Sequence, residues 1–387
     1  MKYVLLILST LLCFGIQSQN NHILNKIGEL QIRHKDNFYH RGLFPSQRIN
    51  KKENKIVDDN SIFFTGLISY TLKSVKDSLS KNDQTIIDSI LSYSLESLKY
   101  YKNRNGENTY NFYQVRPEEN PFPNGRYFTK AEFKRVPDDL DDTSIIYLMQ
   151  DSSDSLNYAI KKKMEKHAVV EKYTSTYSQF RKNKIYKTWF SSEMKQDIDI
   201  CVVSNVLTLM FQKELTLSTV DTASIEFIKA SIRQDLHLNK EYLISPHYQE
   251  TSIILYHVAR LIAISNNVLL DDIKEKVIQD IYDQLGLVNN DVEKVILLTS
   301  LYRLGEKIDF DINLHDLKID MTKYYWFKAN PFCVRPFWVK KMIGSSNILN
   351  QYYRSKAYYW SLVLELEVLS KAGFIIDNEV GTITTIR

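Results

Sequence analysis

One pattern recurs six times along this chain: a polar or acidic start, followed by a helical run that is apolar on nearly every side. The six runs begin at Asp58, Asp141, Asp197, Tyr248, Asn290 and Tyr353. A helix that is apolar all round is normally surrounded by other parts of the protein. The chain therefore has to enclose six helices at once, and few folds allow this.

Amphipathic helical segments alternate with the buried ones. Residues 83–101, 155–170, 223–236 and 271–285 each keep a single apolar face. Only 11 glycines and 8 prolines occur in 387 residues, which favours long helices over an all-β or Rossmann fold. This alternation predicts an all-α protein, an (α/α)6-type toroid of inner and outer helices. An open α-solenoid and an irregular helical bundle are the alternatives.

The first residues have the pattern of a secretory signal peptide. Lys2 is followed by an apolar run from Val4 to Ile16, and small Ser18 stands at a plausible cleavage point. The run is shorter than the roughly 20 residues that span a bilayer. We therefore expect a signal peptide at 1–18 and one mature toroid domain at 19–387. The protein would be exported, periplasmic or extracellular, with no transmembrane segment after cleavage.

A long loop is predicted at residues 102–137, which are rich in proline, asparagine and aromatic residues. Structureless segments of this length in a compact domain are usually functional or disordered. The aromatic residues argue against disorder. We expect a lid-like loop over the face from which VPDDLDDTS (136–144) emerges. The net charge of +4 is too small to indicate a nucleic-acid partner.

Acidic residues gather at the starts of the buried helices. In an up-down ring all inner helices run the same way, so their N-terminal ends share one face. One or two aspartates at a helix start are explained by capping and by the helix dipole. Residues 138–142 contain four, which exceeds that need. If the site is dry, repulsion between close carboxylates raises a pKa and provides a general acid; if it is wet, the cluster is an acidic surface or a weak cation site.

Asp139-Leu140-Asp141-Asp142-Thr143 resembles the DxDD(T) motif of class II terpene cyclases. Those enzymes belong to the terpenoid cyclase and protein prenyltransferase superfamily of α/α toroids. The resemblance implies that Asp141 is the catalytic acid that protonates the substrate and that Asp139 and Asp142 support it. The chain departs from the family because it has room for one toroid rather than two and lacks repeated Gln-Trp motifs.

The same run also matches DDxxD through Asp138, Asp139 and Asp142, which is similar to the Mg²⁺-diphosphate motif of class I terpene synthases. The sequence shows no second metal motif, and Pro137 indicates that the run starts a helix rather than lying inside one. We therefore expect no cofactor, with Mg²⁺ at the Asp138–Asp142 cluster as the alternative.

Two further functions remain open. An exported α/α ring with acidic and aromatic residues resembles, at fold level, polysaccharide lyases and glycoside hydrolases. A pair of carboxylates would serve hydrolysis. Asp59 with Asp141, or Asp141 with Asp199, would form such a pair across the ring. The other alternative is a noncatalytic binding toroid. In each case the expected partner is a small molecule or an oligosaccharide, and the candidate substrate-binding residues are Asp58, Asp59, Asp138, Asp197, Asp199, Tyr352 and Tyr353.

Overall fold

A computed structural model describes residues 20–50, 55–115, 136–168, 176–181, 183–191, 197–265, 269–308, 324–329, 336–343 and 350–378. Within these residues the protein is mostly helical and has one small antiparallel sheet. The helical class is therefore confirmed. The predicted signal peptide and residues 116–135 of the predicted lid-like loop lie outside the described residues.

All ten helices predicted from the hydrophobic patterns are present. The six apolar runs are α2 (Phe63–Val75), α4 (Leu140–Met149), α6 (Ile200–Gln212), α10 (Thr251–Ile264), α12 (Asp291–Arg303) and α14 (Lys356–Asn378). The four amphipathic segments are α3 (Lys81–Ser97), α5 (Asp154–His167), α7 (Thr219–Arg233) and α11 (Asp271–Leu287). The other helices are α1 (20–30), α8 (Leu236–Asn239), α9 (Glu241–Ile244) and α13 (Phe337–Ile343).

The six apolar helices form a closed circuit of contacts. In the order α2, α4, α6, α10, α12 and α14, each packs against the next, and α14 packs back against α2. These six are named the ring helices. Every residue of α6 from Ile200 to Met210 is buried, as expected for a helix with protein on all sides. Complete burial of an aliphatic or aromatic side chain contributes about 1.5–3 kcal/mol, so this burial is a large stabilising term. Helix α3 packs on α2, α7 on α6, and α11 on both α10 and α12.

Side-chain caps explain where many of these helices begin. Serines cap three of the four amphipathic helices, with Ser80 before α3, Ser153 before α5 and Ser218 before α7. Asp139, Asp199 and Asn290 cap the ring helices α4, α6 and α12. Each side-chain oxygen accepts a hydrogen bond from a backbone N–H that has no partner inside the helix, which stabilises the helix start by about 0.5–2 kcal/mol.

A four-stranded antiparallel sheet corrects the all-α expectation. Its strands are β1 (Ser46–Asn50), β2 (Lys55–Asp59), β3 (Phe327–Ala329) and β4 (Gln351–Arg354), in the order β2-β1-β4-β3. Each strand has only three to five residues, so the period-two pattern is too short to stand out in the sequence. The sheet joins the segment before α2 to the segment before α14.

The sheet also corrects the placement of four candidate residues. Asp58 and Asp59 end strand β2, four or more residues before α2 begins at Phe63. Tyr352 and Tyr353 lie in β4 rather than in the first turn of α14. Among the described helices, none combines the length and the apolar composition that crossing a membrane requires.

Candidate functional site

The segments that lead into the ring helices lie against one another. Tyr248, just before α10, contacts Asp141 at the start of α4. Backbone bonds join the segment before α4 to the segment before α6: the Leu140 N–H donates to the carbonyl of Thr188 at 2.8 Å, and the Thr188 N–H donates to that of Asp197 at 3.2 Å. Neighbouring ring helices therefore start at a shared face, where the acidic residues gather.

Asp141 is held in the interior by two neutral donors. Its side chain is 5% exposed. Asn205 Nδ2 donates to Oδ1 at 2.5 Å, and the Tyr248 hydroxyl donates to Oδ2. Burial raises the pKa of Asp141 to about 6, although both hydrogen bonds act to lower it. Of the dry and wet alternatives, the burial of Asp141 corresponds to the dry one, and desolvation rather than repulsion is the larger cause of its pKa shift.

Asp139 and Asp142 form a carboxyl pair at the start of α4, next to Asp141. Asp139 Oδ1 accepts the Asp142 backbone N–H at 2.7 Å, so Asp139 is the cap of the helix. Burial raises the pKa of Asp139 to about 7. Burial, followed by the charge of Asp139, raises the pKa of Asp142 well above its ordinary value. Burial and the neighbouring carboxylate thus both favour the neutral form of Asp142.

Asp197 and Asp199 hold the segment before α10. Asp197 lies 2.6 Å from His247 Nε2, and Asp199 accepts the His247 backbone N–H at 2.8 Å and the Ser245 hydroxyl at 2.7 Å. Burial opposes ionisation of Asp197, but the charge and the hydrogen bond of His247 bring its pKa below the ordinary value. Asp199 caps α6 through the Cys201 N–H, and burial raises its pKa. Both aspartates thus have structural partners.

The remaining predicted residues lie further round the same face. Asp59 is fully buried, accepts a hydrogen bond from the Tyr113 hydroxyl at 3.0 Å and lies 3.6 Å from Arg48. The Tyr113 hydroxyl is also 3.0 Å from that of Tyr353. Asp58 is exposed on β2, opposite Gln47, so it is not part of this buried group. The Tyr352 ring packs 4.3 Å from that of Tyr325.

A cluster of packed aromatic rings, named the aromatic roof, lies between the residues around Asp59 and those around Asp141. Phe327 is its centre. Its ring centroid lies 5.4–5.7 Å from the rings of Phe63, Phe112, His247, Tyr248 and Tyr353. The sequence offered no signal that Phe327 packs against five rings from four separate segments of the chain.

A cleft of about 260 Å³ opens beside Asp138. It is lined by Asn103, Arg104, Glu107, Thr109, Asn111, Tyr113, Gln114, Val115, Val136, Pro137, Asp138 and Phe190. Asp138 Oδ2 accepts hydrogen bonds from Asn103 Nδ2 and Thr109 Oγ1, both at 2.5 Å, and Oδ1 accepts one from Asn111 Nδ2 at 3.3 Å. Described residues of the segment 102–115 therefore contact the acidic run at Asp138.

The arrangement does not suit the Mg²⁺ site that was the alternative to the absence of a cofactor. Helix α4 begins at Leu140, so Asp138 lies outside the helix that contains Asp142, and the two are not one helical turn apart. Asp138 already binds three side chains, and the raised pKa of Asp142 disfavours the carboxylate form that Mg²⁺ requires. The described part of the chain contains no group of three or more His, Cys, Asp or Glu side chains placed to hold a metal.

Four site residues were not indicated by any sequence pattern: Asn205, Tyr248, Tyr113, and Arg260, whose guanidinium donates to Asn205 Oδ1. They lie inside apolar runs or in loops, where a single polar residue has no distinguishing pattern. The chain matches no model of a known protein family, and no curated protein matches it.

Proposed function

We propose that this chain is an α/α toroid that binds a polar ligand at the face where its ring helices begin. The closed circuit of six ring helices supports the toroid, because each contacts two neighbours and the last returns to the first. The amphipathic helices α3, α7 and α11 pack against ring helices, as an outer layer does. The cleft beside Asp138 supports the binding function.

The polar lining of the cleft carries the proposal. Eight of the twelve lining residues carry polar side chains, and the hydrogen bonds from Asn103, Thr109 and Asn111 to Asp138 fix the positions of four of them. Such a surface suits a hydroxyl-rich ligand better than an isoprenoid chain, which needs an apolar wall. The ring of Phe190 adds one apolar face on which a sugar ring stacks. We therefore propose a saccharide as the ligand class.

The size of the cleft limits the ligand. Small-molecule pockets usually enclose about 300–1,000 Å³, and this cleft is slightly smaller, at about 260 Å³. It suits one sugar unit or the end of an oligosaccharide rather than a long polymer laid along a groove.

Glycan-array screening followed by calorimetric titration of the hits tests this function. Phe190→Ala removes the stacking face, and we expect binding to weaken about tenfold, the effect of losing about 1.4 kcal/mol. Tyr158→Ala is the matched control, because Tyr158 is an exposed aromatic residue on α5 that does not line the cleft. Absence of any saccharide hit, or equal weakening in the two variants, would contradict the proposal.

A second candidate is acid catalysis by Asp141 on a class II cyclase-like pattern. Its support is a buried carboxyl with a pKa of about 6, close to the aromatic roof. Aromatic faces stabilise cations such as those formed when an acid protonates an alkene. Asp141 is only 5% exposed, whereas the cleft is already open, so saccharide binding ranks first.

Assays of the wild type and of Asp141→Asn against isoprenoid and oligosaccharide panels separate the two candidates. Catalysis by Asp141 predicts an activity that the substitution abolishes and that falls as pH rises through about 6. Any activity that Asp141→Asn leaves unchanged removes the catalytic assignment while leaving saccharide binding intact.

A further inference from the structure

A polar chain runs from Asp141 into the interior of the ring. Asn205 of α6 donates from Nδ2 to Asp141 Oδ1 at 2.5 Å and accepts a hydrogen bond at Oδ1 from Arg260 of α10. Asn205 is fully buried, and Arg260 is 2% exposed. The guanidinium of Arg260 also lies 5.3 Å from the ring of Tyr70 and 5.8 Å from that of Tyr256. An amide therefore links a buried carboxyl to a buried cation.

This chain fixes the orientation of the Asn205 amide. Its NH2 group faces a carboxyl oxygen, and its carbonyl faces a guanidinium that only donates. Rotating the amide by 180° would place two donors against each other and two acceptors against each other in a dry interior. Each unmet group would cost free energy there, so only one orientation is compatible with both neighbours.

The fixed amide determines which oxygen of Asp141 carries a proton. Oδ1 already receives an N–H from Asn205, and a hydroxyl proton on the same oxygen would compete with that bond. Oδ2 faces the Tyr248 hydroxyl, which both donates and accepts, so it adapts to either protonation state of Asp141. We propose that Asn205 and Arg260 are positioning residues that direct the proton of Asp141 to Oδ2, on the side of Tyr248 and the aromatic roof.

The catalytic use of this proton rests on the second candidate function, whereas its location does not. Tyr248 packs against Phe63 and Phe327, so Oδ2 is the oxygen nearer the roof, and Oδ1 faces the filled interior. Besides Asp139 and Asp142, whose own pKa values are raised by the charge of Asp141, the charged side chains that act on Asp141 include Asp199 and His247. Neither donates a hydrogen bond to Oδ1, so they do not alter the choice of oxygen.

Infrared difference spectroscopy at pH 5 tests the proposal, with Asp141→Asn identifying the C=O stretching band of protonated Asp141. A proton on Oδ2 leaves Oδ1 as the carbonyl oxygen, which accepts from Asn205. Asn205→Leu should therefore move the band to higher wavenumber, because the carbonyl loses its donor, whereas Tyr248→Phe should move it less. The opposite ranking would place the proton on Oδ1 and overturn the proposal.

Arg260 provides an independent test. In Arg260→Met nothing holds the Asn205 amide in one orientation, so the Asp141 band should broaden or split. Arg260→Lys retains a cationic donor and should restore a single band, which a purely structural role in packing would not predict. An unchanged single band in Arg260→Met would refute the role of Arg260.

Asn205→Leu leaves Arg260 buried without its acceptor, so a second variant is needed in case the single variant does not fold. The double variant Asn205→Leu/Arg260→Met replaces both polar groups with apolar ones of similar size, a change that proteins tolerate better than removal of one partner. It should show the same upward band shift, and an unshifted band would overturn the proposal. These spectra stay informative whether or not the cleft binds a saccharide.

Discussion

Replacing Asp141 with asparagine should change the pH dependence of stability by a calculable amount. Burial raises the folded-state pKa of Asp141 from 3.8 to about 6. This shift of roughly two units corresponds to about 3 kcal/mol. The folded protein thus binds the proton more tightly than the unfolded chain, and wild-type stability falls as pH rises between about 4 and 6. The amide introduced by Asp141→Asn does not titrate, so the variant would lack this loss.

Urea unfolding of both proteins at pH values from 4 to 7.5 measures the effect. The free energy of unfolding of Asp141→Asn, minus that of the wild type, should increase by up to about 3 kcal/mol across this range. The pKa of about 7 at Asp139 makes the free energy of unfolding of both proteins depend on pH in a similar way. This contribution largely cancels in the difference between the two proteins.

Asp151→Asn is the control with opposite sign. In the wild type, the hydrogen bond that Asp151 accepts from Lys73 lowers the pKa of Asp151, and the Asp151 side chain is 96% exposed. The wild type therefore keeps the small contribution of this pair above about pH 4 and loses it in acid, so the variant should show a slight relative loss as pH rises. A flat difference for Asp141→Asn would refute the argument that the carboxyl is desolvated.

Other perturbations follow from single contacts. Lys161→Met leaves Asp221 buried without its cation and should destabilise the fold by about 3–5 kcal/mol in urea unfolding. Lys161→Met/Asp221→Leu should recover only part of that loss, because it also removes the acceptor of the Tyr186 hydroxyl and of the Ser218 N–H. Gly42→Ala should lower stability by about 1–3 kcal/mol or more, because Gly42 has a φ of 94° and a Cβ there would lie 1.8 Å from the Tyr93 carbonyl oxygen. A Cβ at Gly286 in α11 would meet no atom within 4 Å. Gly286→Ala should therefore raise the free energy of unfolding by about 0.5–1 kcal/mol, the difference in helix propensity, and with it the melting temperature.

The periodic parts of the fold could be predicted from the sequence. Hydrophobic residues spaced for a helix report burial directly, so the six ring helices and four amphipathic helices were all found, with starts within about five residues. The sheet was missed for a physical reason. Residue Arg48 pairs with Tyr353, about 300 positions away, and pairing at such a separation leaves no local periodic signal in either segment.

The site was only partly predictable. Four aspartates in five positions suggested that at least one carboxyl would have a raised pKa if the site is dry, and burial raises the pKa of Asp139, Asp141 and Asp142. The partners that hold Asp141 were not predictable, because Asn205 and Tyr248 are single polar residues near apolar runs. Only the three-dimensional packing of α4, α6 and α10 brings them together. Asp58 shows the converse error, since a capping residue and an exposed strand residue look alike in sequence.

Closure of the circuit depends on the last ring helix. Strand β4 and helix α14 meet β1 and α2 across a separation of about 300 residues, as in the contact between Arg354 and Gln47. During synthesis the first five ring helices emerge before α14, so the flanks of α2 and α12 that α14 covers stay open to water until the end. Such late, long-range closure slows folding and exposes apolar surface that a second nascent chain could occupy.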